Sequence, residues 1–477
     1  MVSPQIINHS LQDHHASSKN RSLNQEKEYL KSTKTFKTKV DFWLTNGNKT
    51  ALFQKQQVDL IFSKLKNGNQ NILVDDKKSF QSIDGFGFAL TGASANLIHA
   101  LPEKIQDDLI YDLFAVDSTH IGISYLRISI GASDLSDQPF TYDDLASGET
   151  DINLKKFNIE RERMDLIPVL KKILAINPDI KIMGSPWTAP IWMKTNASFK
   201  GGNLKPEFYE SYANYFVKYI KIMAAEGVKI NAITPQNEPL FGGNNPSMVM
   251  EAKEQTDFIK NHLGPAFQRN GINTKIIIYD HNADRPDYPI GILSDPKAYP
   301  YIDGSAFHLY GGKITALSQV HQAFPEKNVY FTEQWVGGPG NFSEDLKWHV
   351  GTLIIGATRN WSRNVIEWNL AADPEYKPHT EGGCSTCMGA LTIGKTVKRN
   401  VSYYVIAHAS KFVRPGSFRI DTNLPDNLPN VAFKRADGKK VLIVLNNDQK
   451  PQKFNIQYGG KGVSCSLDGG SVGTFIW

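Results

Sequence analysis

The sequence has only three cysteines in 477 residues: Cys384, Cys387 and Cys465. They are too few for a disulfide framework in so long a chain. The spacing Cys384-Ser-Thr-Cys387 is typical of redox or half-zinc sites, but no second Cys/His pair accompanies it, which favours a structural or incidental role. No apolar run approaches the ~20 residues that span a bilayer. The sequence therefore excludes a disulfide-stapled fold and an integral membrane segment.

The net charge of +5 comes mostly from the N-terminus, because residues 1–40 hold seven basic and three acidic side chains. This stretch is rich in Ser, Asn, Gln and Lys, which is typical of a solvated arm. We predict a flexible basic leader over residues 1–38 and no nucleic-acid partner. No apolar core of a secretion signal is visible in it, so export is not supported by the sequence.

Residues 83–369 alternate short β-branched or apolar runs with segments of helical period, which is typical of parallel βαβ units. Eight such runs predict an α/β fold, a closed (β/α)8 TIM barrel. One intervening helix is predicted over 206–226, with Pro206 in its first turn and Gly227 at its C-terminal cap. The predicted strands are 83–89, 122–130, 180–185, 231–236, 275–280, 302–308, 329–333 and 364–369.

The pattern changes to short alternating runs after about residue 412. Val431 to Lys434, the turn Asp437-Gly438, and Val441 to Leu445 predict a β-hairpin. An isolated strand pattern at 40–45 needs an edge to pair with, and we predict that it completes a side β-sandwich built from the C-terminal strands. The predicted division is 39–78 for the N-terminal strands of the sandwich and a linker, 79–411 for the catalytic barrel and 412–477 for the C-terminal sandwich.

Two glutamates follow predicted strands four and seven, at the barrel mouth where catalytic groups collect. They are Glu238, in Thr234-Pro-Gln-Asn-Glu-Pro239, and Glu333, in Tyr330-Phe-Thr-Glu-Gln-Trp335. A single glutamate there is often a rim ion pair, but two beside aromatic and amide residues indicate a glycosidase. Retaining hydrolysis needs carboxyls about 5–5.5 Å apart, whereas inversion needs about 6.5–9.5 Å. The pair predicts a retaining enzyme.

Other strand-end residues predict how a sugar is held. Six of the eight tryptophans fall between strands three and eight, and Trp187 and Trp368 are interpreted as platforms for the C–H face of a sugar. Arg127, bracketed by Leu126 and Ile128, is predicted to keep the nucleophile side of the pocket charged. His308 lacks a cluster of partners with metal-ligand spacing, so we interpret it as a hydrogen-bonding pocket residue and predict no metal and no cofactor.

Several motifs resemble glycoside hydrolase family 30, the glucosylceramidase-like family, in the family's order. The resemblance covers roughly residues 80–415. The motifs that carry the resemblance are Asp84-Gly-Phe-Gly87, Leu126-Arg-Ile128, Ser185-Pro-Trp-Thr-Ala-Pro-Ile-Trp192, Gln236-Asn-Glu-Pro239, Phe331-Thr-Glu333 and Glu367-Trp-Asn-Leu370.

The resemblance implies a β-glycosidase with Glu238 as acid/base and Glu333 as nucleophile. It also implies that Asn237 hydrogen-bonds the sugar 2-hydroxyl and that Tyr310 lies against the nucleophile. A secreted or periplasmic location is suspected from the resemblance alone. The predicted substrate-binding residues are Arg127, Trp187, Asn237, His308, Tyr310, Trp335 and Trp368.

One departure from the family pattern affects the predicted substrate. Glucosylceramidases resembling this chain carry Asp after the Thr that follows the first strand, but here Gly92 follows Thr91. The expected activity is hydrolysis of β-glucosides, glucosylceramidase-like, with endo-β-1,6-glucanase and β-fucosidase or β-xylosidase as alternatives. A non-catalytic glycan-binding barrel is the alternative from another class. The partner is a carbohydrate or glycolipid, the protein is expected to be a monomer, and the pKa of Glu238 is expected to be raised.

Overall fold

The computed structural model describes residues 38–477, so the predicted leader lies outside the described residues up to residue 37. Eight parallel strands form the central sheet, and each overlaps one of the eight predicted runs. The barrel strands, numbered one to eight here, are Gly85–Ala89, Tyr125–Ser129, Lys181–Ser185, Ala232–Ile233, Lys275–Ala283, Ile302–Gly312, Asn328–Glu333 and Asn364–Asn369.

The sheet order runs from strand seven through strands six to one and on to strand eight, which returns beside strand seven. There the backbone ladder is incomplete. The Asn364 side chain accepts from the Phe331 N–H at 2.9 Å, and the Arg363 N–H donates to the Val329 carbonyl at 2.9 Å. The ring of strands is therefore nearly closed, and all eight carboxyl ends point to one mouth.

Helices surround the barrel, and the predicted helix at 206–226 is confirmed as a 3₁₀ turn Pro206–Phe208 followed by Tyr209–Ala225. Gly227 follows at φ +86, as a left-handed cap requires. None of the helices within residues 38–477 is both apolar and long enough to cross a bilayer. The remaining α-helices are Gly92–His99, Glu103–Phe114, Glu160–Met164, Leu166–Ile176, Ala252–Phe258, Gly264–Arg269, Asp287–Leu293, Ala316–Ala323, Phe342–His349 and Val401–Ser410, with π-helical turns Ile259–Leu263 and Val350–Ala357 and 3₁₀ turns Ile191–Met193 and Tyr299–Tyr301.

The second domain is the predicted β-sandwich, in which the N-terminal strand Lys39–Thr45 pairs antiparallel with the last strand, Val472–Ile476. The predicted hairpin is also present, with Lys434 opposite Lys440. The strand Gln70–Ser82 is long and spans the boundary predicted at residue 78. The other sandwich strands are Gln54–Lys55, Leu60–Ile61, Phe418–Thr422, Asn430–Lys434, Lys440–Leu445, Gln452–Tyr458 and Lys461–Leu467.

Short strands outside the two main sheets lie near the mouth of the barrel. Val336–Gly337, just after barrel strand seven, pairs antiparallel with Cys387–Met388. This pairing anchors the loop after barrel strand eight beside the end of strand seven. The other short strands are Ala371–Ala372, Leu391–Ile393 and Val397–Arg399.

Candidate active site

Glu238 and Glu333 face each other in one cavity at the mouth of the barrel. Carboxylate oxygens of the two residues lie within 4.8 Å of each other, although the residues are 95 positions apart in the chain. Glu238 follows the short strand four with φ +44, and its N–H donates to the Asp280 carbonyl at 3.0 Å. The two side chains line a cavity of about 370 Å³. They are neither in separate cavities nor sealed in the core.

A fully buried arginine supports this pair from below. Arg127 donates to Glu333 Oε2 at 2.6 Å, to Asn237 Oδ1 at 2.6 Å and to Asp280 Oδ2 at 2.7 Å. It has no exposed surface, so it lies beneath the cavity and reaches a substrate only through the residues it holds. Since its Oδ1 already accepts from Arg127, Asn237 has its amide N–H₂ left for a ligand.

Asp280 is the partner that the sequence analysis missed. It follows the run Ile276 to Ile278 on strand five, so the strand-end rule applied to the other strands points to it as well. The pKa of Asp280 lies well below its usual range. Burial acts to raise this pKa, but the charge of Arg127, the hydrogen bond and charge of His308, and the hydrogen bond of the Thr332 hydroxyl outweigh burial and lower it. Ser185 and Thr234 also donate to it, each at 2.8 Å. Asp280 is therefore an ionised anchor for the site.

His308 is completely buried and bridges two carboxylates. Its Nδ1 lies 3.2 Å from Glu238 Oε1 and its Nε2 lies 3.1 Å from Asp280 Oδ1. Burial acts to lower the pKa of His308, but the neighbouring carboxylates Glu333, Asp280 and Glu238 outweigh it and raise the pKa to about 9. The imidazole is thus a hydrogen-bonding residue of the site, behind the cavity wall.

The pKa values of Glu238 and Glu333 are shifted in opposite directions. Burial acts to raise the pKa of Glu238, but the hydrogen bond and charge of His308 lower it overall. Burial raises the pKa of Glu333, against the opposing charges of His308 and Arg127. The expectation of a raised pKa for Glu238 is therefore wrong, because the positive imidazole next to Glu238 was not foreseen.

Tyr310 lies against Glu333, with its hydroxyl 2.9 Å from Oε1, where the resemblance placed it. Arg127 and Tyr310 thus donate to different oxygens of Glu333. These two hydrogen bonds fix the carboxylate plane and favour its ionised form. Glu238, by comparison, has a side-chain hydrogen bond only to His308 among the described residues.

Trp187 and Trp368 form one wall of the cavity, with ring centroids 5.4 Å apart. The Arg127 guanidinium lies 4.9 Å and 5.8 Å from their ring centroids. Trp335, whose side chain is half-buried, also lines the cavity. The cavity is therefore a polar pair of carboxylates bounded by aromatic faces, the combination that suits a sugar ring.

Asp134 supplies a third carboxyl to the cavity, and the sequence analysis did not single it out. Burial, then the charges of Glu333 and Glu238, raise its pKa to about 7, and it accepts from the Cys384 N–H at 3.3 Å. Gly92, where an Asp was expected, lines a different cavity, and Thr91 caps the helix Gly92–His99 by accepting from the Ser94 N–H. Asp134, and not residue 92, is therefore the third carboxyl that lines this cavity.

Cys384 and Cys387 form a disulfide at the edge of the same cavity. Cys387 is buried against the wall that contains Trp187 and Trp368. The bond joins two residues of the loop that contacts Asp134 through the Cys384 N–H, and the structural or incidental role favoured for this pair stays a prediction.

Three potential ligand atoms, from Glu238, His308 and Glu333, lie within 4.8 Å of one another. The histidine already has a carboxylate at each ring nitrogen, and Glu333 already accepts from Arg127 and Tyr310. The hydrogen bonds account for the arrangement, and the absence of a metal stays a prediction.

Two facing carboxylates at the mouth of a (β/α)8 barrel, beside an aromatic wall, are the arrangement expected of a glycoside hydrolase. Comparison with known proteins gives the family. Residues 83–413 match the glycosyl hydrolase family 30 TIM-barrel domain and residues 416–475 match the glycosyl hydrolase family 30 beta sandwich domain. The chain belongs to glycoside hydrolase family 30, as the motifs indicated.

Similar proteins include endo-1,6-β-glucanases and a lysosomal acid glucosylceramidase. An endo-1,6-β-D-glucanase of Aspergillus fumigatus is 34% identical over 407 residues, 79% of this chain and 81% of that protein. The lysosomal acid glucosylceramidase of Mus musculus is 29% identical, over 85% of this chain and 83% of that protein. A solved structure of an endo-β-1,6-glucanase is 36% identical, with a TM-score of 0.86 over 92% of this chain and 99% of that one.

Proposed function

We propose that this glycoside hydrolase is a retaining endo-β-1,6-glucanase, in which Glu333 is the nucleophile and Glu238 the acid/base. The observation that carries the proposal is the approach of the two carboxylates to within 4.8 Å. Inversion needs about 6.5–9.5 Å, because a water molecule must fit between a carboxylate and the sugar. A non-catalytic glycan-binding barrel has no need for two opposed carboxylates held this precisely.

In the first step Glu333 attacks the anomeric carbon while Glu238 gives a proton to the departing glycosidic oxygen. The carbon–oxygen bond to the leaving sugar breaks as the bond to Glu333 forms. Arg127 and Tyr310 hold the attacking carboxylate by its two oxygens. Asn237, positioned by Arg127, donates its free amide N–H to the sugar 2-hydroxyl.

The proton that Glu238 delivers comes from its hydrogen bond to His308. Because Asp280 is ionised and takes the Nε2–H, the remaining proton lies between His308 Nδ1 and Glu238 Oε1, 3.2 Å apart. Moving it along this bond turns an imidazolium and a carboxylate into a neutral imidazole and a carboxylic acid. The lowered pKa of Glu238 is thus compatible with acid catalysis.

In the second step a water molecule gives its proton to Glu238, and its oxygen attacks the anomeric carbon. The bond to Glu333 breaks and the sugar leaves with its configuration retained. In the glycosyl-enzyme Glu333 is esterified and carries no charge, so it no longer repels the ionised carboxylate of Glu238. Glu238 can then act as a base.

The choice of a β-1,6-linked glucan rests on the relatives. Glucanases of 34% and 36% identity match this chain better than the mouse glucosylceramidase at 29%, which favours the glucanase alternative over the glucosylceramidase-like activity. Asp134 is proposed to bind a hydroxyl of the cleaved glucosyl unit. We propose that the protein acts as a monomer.

Two experiments test the proposal. Proton NMR of the first product released from a β-1,6-linked gluco-oligosaccharide is expected to show the β-anomer, and an initial α-anomer would contradict retention. Trapping with a 2-deoxy-2-fluoro-β-glucoside, followed by peptide mass spectrometry, is expected to label Glu333. Turnover of glucosylceramide, β-fucoside or β-xyloside without turnover of β-1,6-glucan would contradict the proposed substrate.

A further inference from the structure

The cavity wall next to Glu238 has no role in the mechanism above. Phe241, His281 and Asn282 line it. Phe241 is 48% exposed, whereas Trp187 and Trp368, which line the same cavity, are almost fully buried. An exposed aromatic ring at the edge of a carbohydrate-binding cavity is a surface on which a second sugar can stack.

Phe241 has a defined position relative to the acid. Its N–H donates to the Glu238 carbonyl at 2.9 Å, which closes a tight turn that starts at the catalytic residue. The ring covers Gly243 so closely that a Cβ there would lie 2.6 Å from the ring atom Cζ. A glycine at this position therefore makes room for the ring, and the turn keeps the ring beside Glu238.

His281 presents a hydrogen-bond donor on the same wall. Its Nδ1 accepts from the Leu240 N–H at 3.3 Å. Burial lowers the pKa of His281, so the ring is neutral and its proton is on Nε2. Asn282 Oδ1 accepts from the Tyr310 N–H at 3.0 Å, which leaves the Asn282 amide N–H₂ for a ligand. The wall thus combines one apolar face with two donors.

The two halves of the cavity, the tryptophan wall and the wall of Phe241 and His281, are each tied to a different carboxylate. The Arg127 guanidinium lies 4.9 Å and 5.8 Å from the ring centroids of Trp187 and Trp368 and donates to Glu333. The Phe241 N–H donates to the Glu238 carbonyl, and His281 accepts from the N–H of Leu240 in the same turn. The tryptophan half therefore belongs to the sugar that Glu333 attacks, and the Phe241 half belongs to the group that Glu238 protonates.

We infer that Phe241, His281 and Asn282 form the binding site for the leaving-group sugar, with the ring of Phe241 stacked on a glucosyl unit. The inference rests on the proposed function and specifies how that enzyme recognises the reducing side of the bond it cleaves. His281 Nε2–H and the Asn282 amide donate to hydroxyl oxygens of that unit.

The test compares two substrates that differ only in the leaving group. A β-1,6-linked gluco-oligosaccharide places a sugar in the Phe241 site. The leaving group of β-glucosyl fluoride is a fluoride ion, which has no sugar ring to stack on Phe241. We expect Phe241→Ala to lower kcat/KM for the oligosaccharide about tenfold more than for the fluoride, since it removes a stacking face. Phe241→Tyr restores the face and is expected to recover most of that loss.

Phe418→Ala is the matched control, because Phe418 lies on the sandwich and is 47% exposed. It is expected to leave both kcat/KM values within about twofold. Equal losses on both substrates, no loss on either, or a Tyr variant as impaired as the Ala variant would overturn the inference. Wild-type turnover of the fluoride without turnover of the oligosaccharide would refute the proposed substrate and this site together, whereas an unaffected Phe241→Ala on an active enzyme refutes the site alone.

Discussion

The barrel interior has two layers that are equally buried but differ in chemistry. The lower layer is apolar and contains Tyr125, Met183, Ala232, Ile277, Ala306, Tyr330 and Ile366. The upper layer, formed on the same strands nearer their carboxyl ends, contains Arg127, Asp280, His308 and Glu333.

The apolar layer stabilises the barrel by excluding water. The charged layer loses hydration on burial, and its charges persist only because each is paired with another. Position along a strand thus decides whether a buried residue serves stability or catalysis.

Glu333→Gln tests the catalytic role of the charged layer while leaving the apolar layer unchanged. It keeps the shape of the carboxyl but removes the nucleophile, so hydrolysis of β-1,6-glucan should fall by a factor of about 10³ or more. Initial rates measure this, and thermal unfolding serves as the control for folding. Full turnover by the variant would contradict the role of Glu333.

Arg127→Met breaks the charged layer. Asp280 and Glu333 would then be buried without their cation, and we expect a loss of about 3–5 kcal/mol in the free energy of unfolding. Urea denaturation monitored by tryptophan fluorescence measures the loss. Arg127→Lys is the matched control, and since an ammonium keeps the charge but lacks the planar fork of donors that a guanidinium presents, it should recover only part of the stability. Wild-type stability of the Met variant would show that the network does not hold the layer together.

Asp134→Asn tests the pH dependence that a buried carboxyl creates. The unfolded carboxyl titrates near pH 4 and the folded one near pH 7, so the folded state binds the extra proton and stability falls as pH rises through this window. Above pH 7 the variant should be more stable than wild type by up to about 4 kcal/mol, and at pH 4 equally stable.

The gain in stability should accompany weaker substrate binding, visible as a raised KM for β-1,6-glucan. Unfolding curves at pH 4, 6 and 8 measure the effect on stability. A stability difference that does not change with pH would exclude the buried charge as its cause.

Ile277→Val perturbs the apolar layer. Removing one buried methylene should lower the free energy of unfolding by about 0.5–1.5 kcal/mol and leave kcat unchanged, because Ile277 packs within the apolar layer. A loss of activity without a loss of stability would contradict the assignment of stability to the apolar layer and catalysis to the charged layer.

Metal removal should have the smallest effect of all. Hydrogen bonds occupy Glu238, His308 and Glu333, so dialysis against EDTA is expected to leave kcat/KM on β-1,6-glucan unchanged. Loss of activity that zinc or magnesium restores would assign a ligand role to these three residues.

The sequence predicted the parts of the site that depend on local pattern. Strand periodicity located all eight strands, and the residues that follow strands four and seven identified Glu238 and Glu333. The same rule, applied to strand five, would have found Asp280 and His281. It would not have found Asp134 or Phe241, because both lie in loops whose course is set by contacts with distant segments.

What the sequence determined by itself is the alternation of strands and helices, and with it the set of side chains at one mouth, since both follow from residue spacing along the chain. Only the tertiary structure decided that Arg127 lies beneath the cavity, that His308 lowers the pKa of Glu238 and that Asp134 lines the cavity. These properties depend on distances between residues remote in sequence and on how far each charge is removed from water.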